Sequence, residues 1–274
     1  MRALLAGKIR VISDGSYKNH VGSACSQILT ADGHDIIWIT CQTPGHPDDQ
    51  SSTRSELIGL LASLLVLSWM AQLVQLRLFG SKPAVEMACD GLVALRKSFD
   101  ERHLKPTEAQ FDLASTIREV LRKLPLELVP RHVRGHSDKK TSCSRLDFWQ
   151  LRNIEVDARA QAHRRHLETT GQLVPANPRF FDEPVALFLE GVKVSKIDPA
   201  RIAELITLPP LQAYWSRKHR LTHLTSPEVD WLSVGRAMNA LPPRLQRWTS
   251  KHTVGMCGDV WGCVGSANSR SGGK

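Results

Sequence analysis

Residues 8–17 read KIRVISDGSY, a β-branched run that ends in an acidic residue followed by glycine. The apolar residues of this run favour a β-strand. Aspartate before glycine is typical of a turn, so the pattern predicts that Asp14 lies at the exposed end of the strand and that the chain turns at Gly15. A carboxylate in that place is well positioned for catalysis, although the same dipeptide is common in ordinary turns.

The hydrophobic pattern predicts further strands and helices along the chain. Strand-like runs at 21–30 and 34–43, joined by a turn at 31–33, complete an antiparallel meander with the first strand. Strands and helices then alternate, which predicts a mixed sheet covered by helices. The later predicted elements are a helix that includes 57–70, a strand at 84–89, helices at 91–99 and 111–124, a strand at 126–133 and a helix at about 148–168.

The composition changes after residue 170, where Gly171 and two prolines predict a domain boundary. We therefore expect a first domain at 1–170, a mainly helical basic extension at 171–253 and a flexible tail at 254–274. The region 211–252 has seven Lys or Arg against two acidic residues, which suits either contact with a nucleic-acid backbone or a solvated helical face. Finer predictions are a hairpin within 184–193, helices at 199–206, 210–217 and 229–241, and a weak zinc signal from Cys257 and Cys263.

The overall composition indicates which partners the protein binds and where in the cell it is expected. A net charge of +9 and a pI near 9.5 favour a polyanion, with nucleic acid the first choice and an acidic membrane surface the second. The apolar stretch 57–70 is shorter than a bilayer span, so no membrane segment is expected. Six cysteines and no signal-like apolar run at the start predict an intracellular protein with reduced thiols, without distinguishing nucleus from cytoplasm.

Three more acidic residues occupy positions comparable to that of Asp14. Glu56 lies in the first turns of an apolar helix and is expected on its buried face; Asp90 follows the strand at 84–89; Asp157 lies at the rim of a buried helical stripe. Taken singly, Glu56 could merely favour the helix dipole and Asp157 could be a solvated residue. Four converging carboxylates would repel one another unless a cation were bound, and Mg²⁺ prefers such oxygen ligands.

Together these residues resemble the active site of the ribonuclease H family, type 1. The resemblance covers residues 8–168 and includes, in order, SDGS at 13–16, RSEL at 54–57, ACDG at 88–91, VRGH at 133–136 and Asn153 four residues before Asp157. It implies an α/β, ribonuclease H-like fold. In that fold a mixed five-stranded sheet, an antiparallel three-strand meander plus parallel strands, is flanked by helices, here with a mainly helical C-terminal extension.

The resemblance also implies an activity, namely endonucleolytic hydrolysis of the RNA strand of RNA–DNA hybrids by two-metal-ion catalysis. By this resemblance Asp14, Glu56, Asp90 and Asp157 hold two Mg²⁺ ions, for which Mn²⁺ could substitute. Asp14 would bridge both ions. His136, in a polar loop, resembles the family's loop histidine, which assists proton transfer or product departure.

The nearest context suggested by the sequence is a retroelement. The run 47–56 and the basic extension look most like the ribonuclease H portion of a reverse transcriptase polyprotein, which would make a reverse transcriptase domain a partner. Two alternatives stay open: an inactive nucleic-acid-binding module on the same fold, and an integrase or transposase acting on DNA. The presence of all four acids argues against the first. The helix-borne Glu56 together with the late Asp157 fits the second poorly.

Overall fold

A computed structural model describes residues 2–74, 82–137, 142–171, 183–184, 186–189, 192–199, 202, 236–237 and 240–246. The chain divides into two compact units, Met1–Asp198 and Pro199–Lys274, and the helices and strands below belong to the first. They are α1 (Arg2–Leu5), β1 (Ile9–Lys18), β2 (Val21–Thr30), β3 (Asp35–Gln42), α2 (Ser52–Leu73), β4 (Ala84–Cys89), α3 (Leu92–Phe99), α4 (Phe111–Lys123), β5 (Glu127–His132), α5 (Phe148–Thr170), β6 (Phe188–Leu189) and β7 (Val192–Lys193).

The main sheet has five strands in the order β3-β2-β1-β4-β5, with β1 at its centre. β1 pairs antiparallel with β2, and β2 pairs antiparallel with β3, which gives the expected meander. β4 runs parallel to β1, and β5 runs parallel to β4. The predicted fold class, a mixed five-stranded ribonuclease H-like sheet flanked by helices, is therefore confirmed.

Helices cover both faces of this sheet and enclose two hydrophobic cores. Because side chains alternate along a strand, Val11 faces the larger core and Ile12 the smaller one. The larger core includes residues of α2, α3 and α4, and the smaller one lies beneath α5. This sandwich fixes α2 and α5 on opposite faces of β1, so that each helix can bring a side chain to the same edge.

The most apolar helix, α2, is a core element. Ser51 caps its start by accepting a hydrogen bond from the Arg54 N–H at 3.1 Å, as the run of hydroxyl residues predicts. The helix has 22 residues and is, by length and composition, long and apolar enough to cross a membrane. The expectation that the apolar stretch 57–70 is too short to span a bilayer therefore does not hold for the whole helix, which extends from Ser52 to Leu73. Its apolar composition is accounted for by leucines that are fully buried against the sheet, such as Leu60 and Leu64.

The path of β1 differs from the prediction in one respect. The strand does not turn at Gly15 but continues to Lys18, paired with β2 throughout. Asp14 therefore lies inside the strand and is buried rather than exposed at its end. The parallel pairing with β4, however, ends at Ser13, so Asp14 still marks the point where that half of the sheet stops.

The described residues after α5 include the hairpin predicted within 184–193, which is present as the antiparallel pair β6 and β7. The residues just after this hairpin, still within the first unit, contact the start of α4, since Asp112 N donates to Ser195 O at 3.1 Å. The predicted domain limits at 170 and 253 stay predictions. The helices expected beyond 199, and the tail with its two cysteines, lie almost entirely outside the described residues.

Candidate functional site

Asp14 and Asp90 lie side by side because β1 and β4 are parallel neighbours. Ser13 pairs with Cys89, the last residue of β4, and the residue that follows each of them in the chain is an aspartate. Asp14 is 4% exposed, and its Oδ1 accepts a hydrogen bond from the following backbone N–H at 2.6 Å. Asn153 Nδ2 of α5 lies 3.5 Å from Asp14 Oδ2. The central strand thus presents its carboxylate between the next strand and a helix.

Glu56 reaches the same edge because α2 packs directly on β1. A Cβ at Gly15 would lie 2.6 Å from the Ser55 carbonyl carbon, so this close approach requires glycine. Thr43 Oγ1 donates to Ser55 Oγ at 3.0 Å and holds the start of the helix to the end of the meander. The Glu56 carboxylate occupies the space where Gly91, the residue before α3, would carry a side chain.

Asp157 comes from the opposite face of the sheet, on α5, one helical turn after Asn153. Gln161 Nε2, one turn further on, donates to Asp157 Oδ1 at 2.8 Å. His136 Nδ1 lies 3.6 Å from Asp157 Oδ2, and the imidazole is more than half exposed. The backbone of His136 is left-handed, with φ of 49°, within the turn after β5. The Asp157 carboxylate is therefore oriented by Gln161 through one oxygen, and its other oxygen faces the solvent-exposed imidazole of His136.

All five residues predicted for the site line one cavity of about 340 Å³. They are Asp14, Glu56, Asp90, His136 and Asp157. The cavity is also lined by Ser16, Lys18, Gln161 and Arg164, which sequence reasoning did not single out. A signal existed for the last two, because they follow Asp157 by four and seven residues and so share its helical face.

Burial raises the pKa of three of the carboxyl groups. It raises the pKa of Asp14 well above the ordinary value, and the neighbouring Asp90 and Asp157 raise it further. Burial, followed by the charge of Asp90, raises the pKa of Glu56 to about 7. Burial is likewise the main cause of the raised pKa of Asp90. The acids are thus close enough to repel one another, which is the situation that a bound cation relieves.

The chemistry of these side chains fits a hard divalent cation. Within the described part of the chain, no three His, Cys, Asp or Glu side chains are already grouped as a formed metal site. However, Asp90 Oδ1 and Asn153 Oδ1 are buried acceptors that receive no hydrogen bond from any described residue. Carboxylate oxygens that need a positive partner are the ligands that Mg²⁺ and Mn²⁺ take. Asp14, Glu56, Asp90 and Asp157 would hold such ions.

The placement of Glu56 over Gly91 leads to a first prediction. In Gly91→Ala the added methyl group would meet the end of the flexible Glu56 side chain, and the backbone of Gly91 (φ of −75°) accepts alanine. Glu56 should move while the fold persists, so we expect at least about a tenfold loss of the hybrid cleavage that the sequence resemblance implies, as for misplacement of an active-site group. The melting temperature should stay within a few degrees of the wild type. The matched control is Val93→Ala on the exposed side of α3, and equal activity of the two variants would contradict the prediction.

Comparison with known proteins gives similarity to solved ribonucleases H. Protein-family models and curated proteins gave no match. LC11-RNase H1, isolated from compost by a metagenomic approach, is 15% identical, with a TM-score of 0.42 over 59% of this chain and 99% of that one. The structure of LC11-RNase H1 in complex with an RNA/DNA hybrid is 15% identical, with a TM-score of 0.39 over 49% of this chain and 91% of that one. RNase H1 of the halophilic archaeon Halobacterium salinarum is 12% identical, with a TM-score of 0.35 over 54% of this chain and 97% of that one. The fold assignment itself stands on the strand order and pairing described above.

Proposed function

We propose that this chain is an endonuclease that hydrolyses the RNA strand of RNA–DNA hybrids, with two divalent cations held by Asp14, Glu56, Asp90 and Asp157. The observation that supports it most is the meeting of these four acids and a histidine at one cavity, although they come from two strands, two helices and a loop. A purely structural use of so many carboxylates would be costly, because each raises the energy of the others.

The contacts and exposure of each side chain suggest a different role for it in this reaction. Bound Mg²⁺, or Mn²⁺ in its place, would supply an activated water and offset the charge on the leaving 3′ oxygen. Asp14 and Asp90, fixed on neighbouring strands, form the rigid part of the carboxylate set. Asp157 is oriented by Gln161. His136 lies beside Asp157 and is more than half exposed, so its Nδ1 can hold a proton and exchange it with water.

The choice of an RNA–DNA hybrid comes from the resemblance of the sequence motifs to ribonuclease H, and the 2′-hydroxyl is the group through which such a protein would distinguish RNA from DNA. The charge of +9 and the cations Lys18 and Arg164 in the cavity support a polyanionic substrate. The test is a cleavage assay with Mg²⁺ on four substrates of one sequence: hybrid, duplex RNA, duplex DNA and single-stranded RNA. We expect cuts only in the RNA strand of the hybrid, leaving 5′-phosphate ends.

Other outcomes of this assay would identify the alternatives. Equal cutting of duplex DNA would contradict the hybrid assignment and indicate an integrase-like or transposase-like enzyme. Binding of the hybrid without cutting, in Mg²⁺ and in Mn²⁺, would indicate an inactive binding module on the same fold.

We further propose that this domain acts inside the cell beside a reverse transcriptase, as the ribonuclease H portion of a retroelement polyprotein. The support is the sequence of residues 47–56, which in the fold leads into the capped start of α2, and the basic region 211–252. Reading the coding sequence on both sides for a polymerase segment tests this. An adjoining polymerase frame would support it, and an unrelated neighbour on both sides would contradict it.

A further inference from the structure

One basic side chain in the cavity has no place in the chemistry described so far. Asn153, Asp157, Gln161 and Arg164 follow one another along the face of α5 that looks onto β1, at spacings of four, four and three residues. The first three orient or form the carboxylate set. Arg164 continues the same stripe, but as a cation, and it lines the same cavity as the acids.

Arg164 is held rigidly by two contacts. It is only 7% exposed. Its Nε donates to Ser16 Oγ at 3.0 Å, and its Nη1 donates to Glu168 Oε1 at 2.7 Å. Its remaining nitrogen, Nη2, has no acceptor among the residues that the structure describes. Unlike Arg118 Nη2, this nitrogen is not fully buried, so an oxygen of a ligand in the cavity can reach it and accept a charged hydrogen bond.

The charge of Arg164 is not used to neutralise the carboxylate set. Its contacts go to Ser16 and Glu168 rather than to any of the four acids. The cavity therefore has an acidic part and a separate cationic corner, which is formed by Arg164 and Lys18.

The position of that corner suggests its ligand. Ser16, the anchor of Arg164, is on the same face of β1 as Asp14 and two residues further along, roughly 7 Å. Lys18, a further two residues along, also lines the cavity. A nucleic-acid strand cut at the acids and lying along β1 would bring its next phosphate towards Arg164, whose Nη2 could donate a charge-assisted hydrogen bond to a phosphate oxygen.

We infer that Arg164 binds a phosphate of the substrate strand adjacent to the one that is cleaved. The inference rests on the proposed function, because it takes a nucleic acid as the substrate. The competing explanation is that Arg164 only ties α5 to β1 through Ser16. Such a structural role would change stability but not the response of binding to the charge of one phosphate.

The experiment measures binding of a fluorescent RNA–DNA hybrid to the full chain without divalent cation, as a function of salt. Arg164→Met should weaken binding about tenfold, as for loss of a charged hydrogen bond. It should also reduce the slope of log K against log salt by about one. Arg164→Lys keeps the charge, so its affinity for the hybrid should lie between those of Arg164→Met and the wild type. The matched control is Arg165→Met, the exposed next residue of α5, which should bind as the wild type does.

A second arm replaces one phosphate at a time with an uncharged methylphosphonate. At one linkage beside the cut the wild type should lose affinity, and Arg164→Met should be indifferent to the same change. Equal sensitivity of the two proteins at every linkage, or an unchanged salt slope in Arg164→Met, would overturn the inference. Failure of the wild type to bind the hybrid would overturn it as well. Binding with these responses but without cleavage in Mg²⁺ would instead uphold Arg164 and reject the proposed nuclease.

Discussion

Asp14→Asn is expected to lower the rate of the proposed hybrid cleavage by about 10³-fold or more, because it removes the central carboxylate of the set proposed to hold the metal ions, whose contribution would be several kcal/mol. Asp14 lies between Asp90 on the next strand and Asn153 on α5, so no nearby group can take over its position. Binding of the hybrid should persist. The comparison is with Asp100→Asn, an exposed residue at the end of α3 that lines a different cavity.

The same substitution should stabilise the protein in the absence of metal. Asp14 is buried among like charges, and asparagine has no charge but retains an oxygen to accept the hydrogen bond from the Gly15 N–H. Each kcal/mol gained should raise the melting temperature by about 2–4 °C for a domain of this size. Asp100→Asn should leave it nearly unchanged. An Asp14→Asn protein that cleaves at the wild-type rate, or that melts lower than the wild type without metal, would contradict this account.

Asp112→Asn is expected to lower the free energy of unfolding by about 3–5 kcal/mol, the usual cost of removing one partner of a buried ion pair. Asp112 Oδ1 and Oδ2 accept from Arg54 Nη1 and Nη2 at 2.9 and 2.8 Å, and Lys193 Nζ lies 3.8 Å away. All three side chains are almost fully buried. The substitution would remove the charged partner of the buried Arg54 guanidinium, whereas Lys193 would keep Glu183 at 2.8 Å.

This prediction is checked by urea unfolding with two comparison variants. Arg54→Met should cost less, because Asp112 would keep Lys193 as a partner. Arg122→Met breaks a pair with Glu119 in which the arginine is largely exposed, and should leave the free energy of unfolding nearly unchanged. An Asp112→Asn protein no less stable than Arg122→Met would show that the buried pair is not a stabilising part of the fold.

The sequence predicted the fold well because its signals are local. Alternation in β1 to β3 and the helical stripes of α2 and α5 define the layers, and the parallel neighbours β1 and β4 then bring Asp14 and Asp90 together. The turn at Gly15 was wrong because glycine there serves another need. It lets the start of α2 lie against β1, and a local pattern cannot distinguish that close approach from a turn.

The sequence predicted the acidic residues of the candidate site but not the contacts that support them. Each acid carries a local signature, a strand end or a helical face. By contrast, Arg164 meets Ser16 across 148 positions of the chain and Arg54 meets Asp112 across 58. Such pairs depend on the packed structure. Asp112 lies on α4, and no local pattern in the sequence reveals that it is buried against Arg54.

Calorimetric titration of Mg²⁺ into the nucleic-acid-free protein tests most directly whether the acids at this cavity share bound metal. Wild type and Asp100→Asn should bind Mg²⁺ with the same affinity and heat, whereas Asp14→Asn should lose most of that binding. At a hundred times Kd, the ion should also stabilise the wild type by about 2.7 kcal/mol. Identical titration curves for all three proteins would show that the carboxylates do not form a shared metal site.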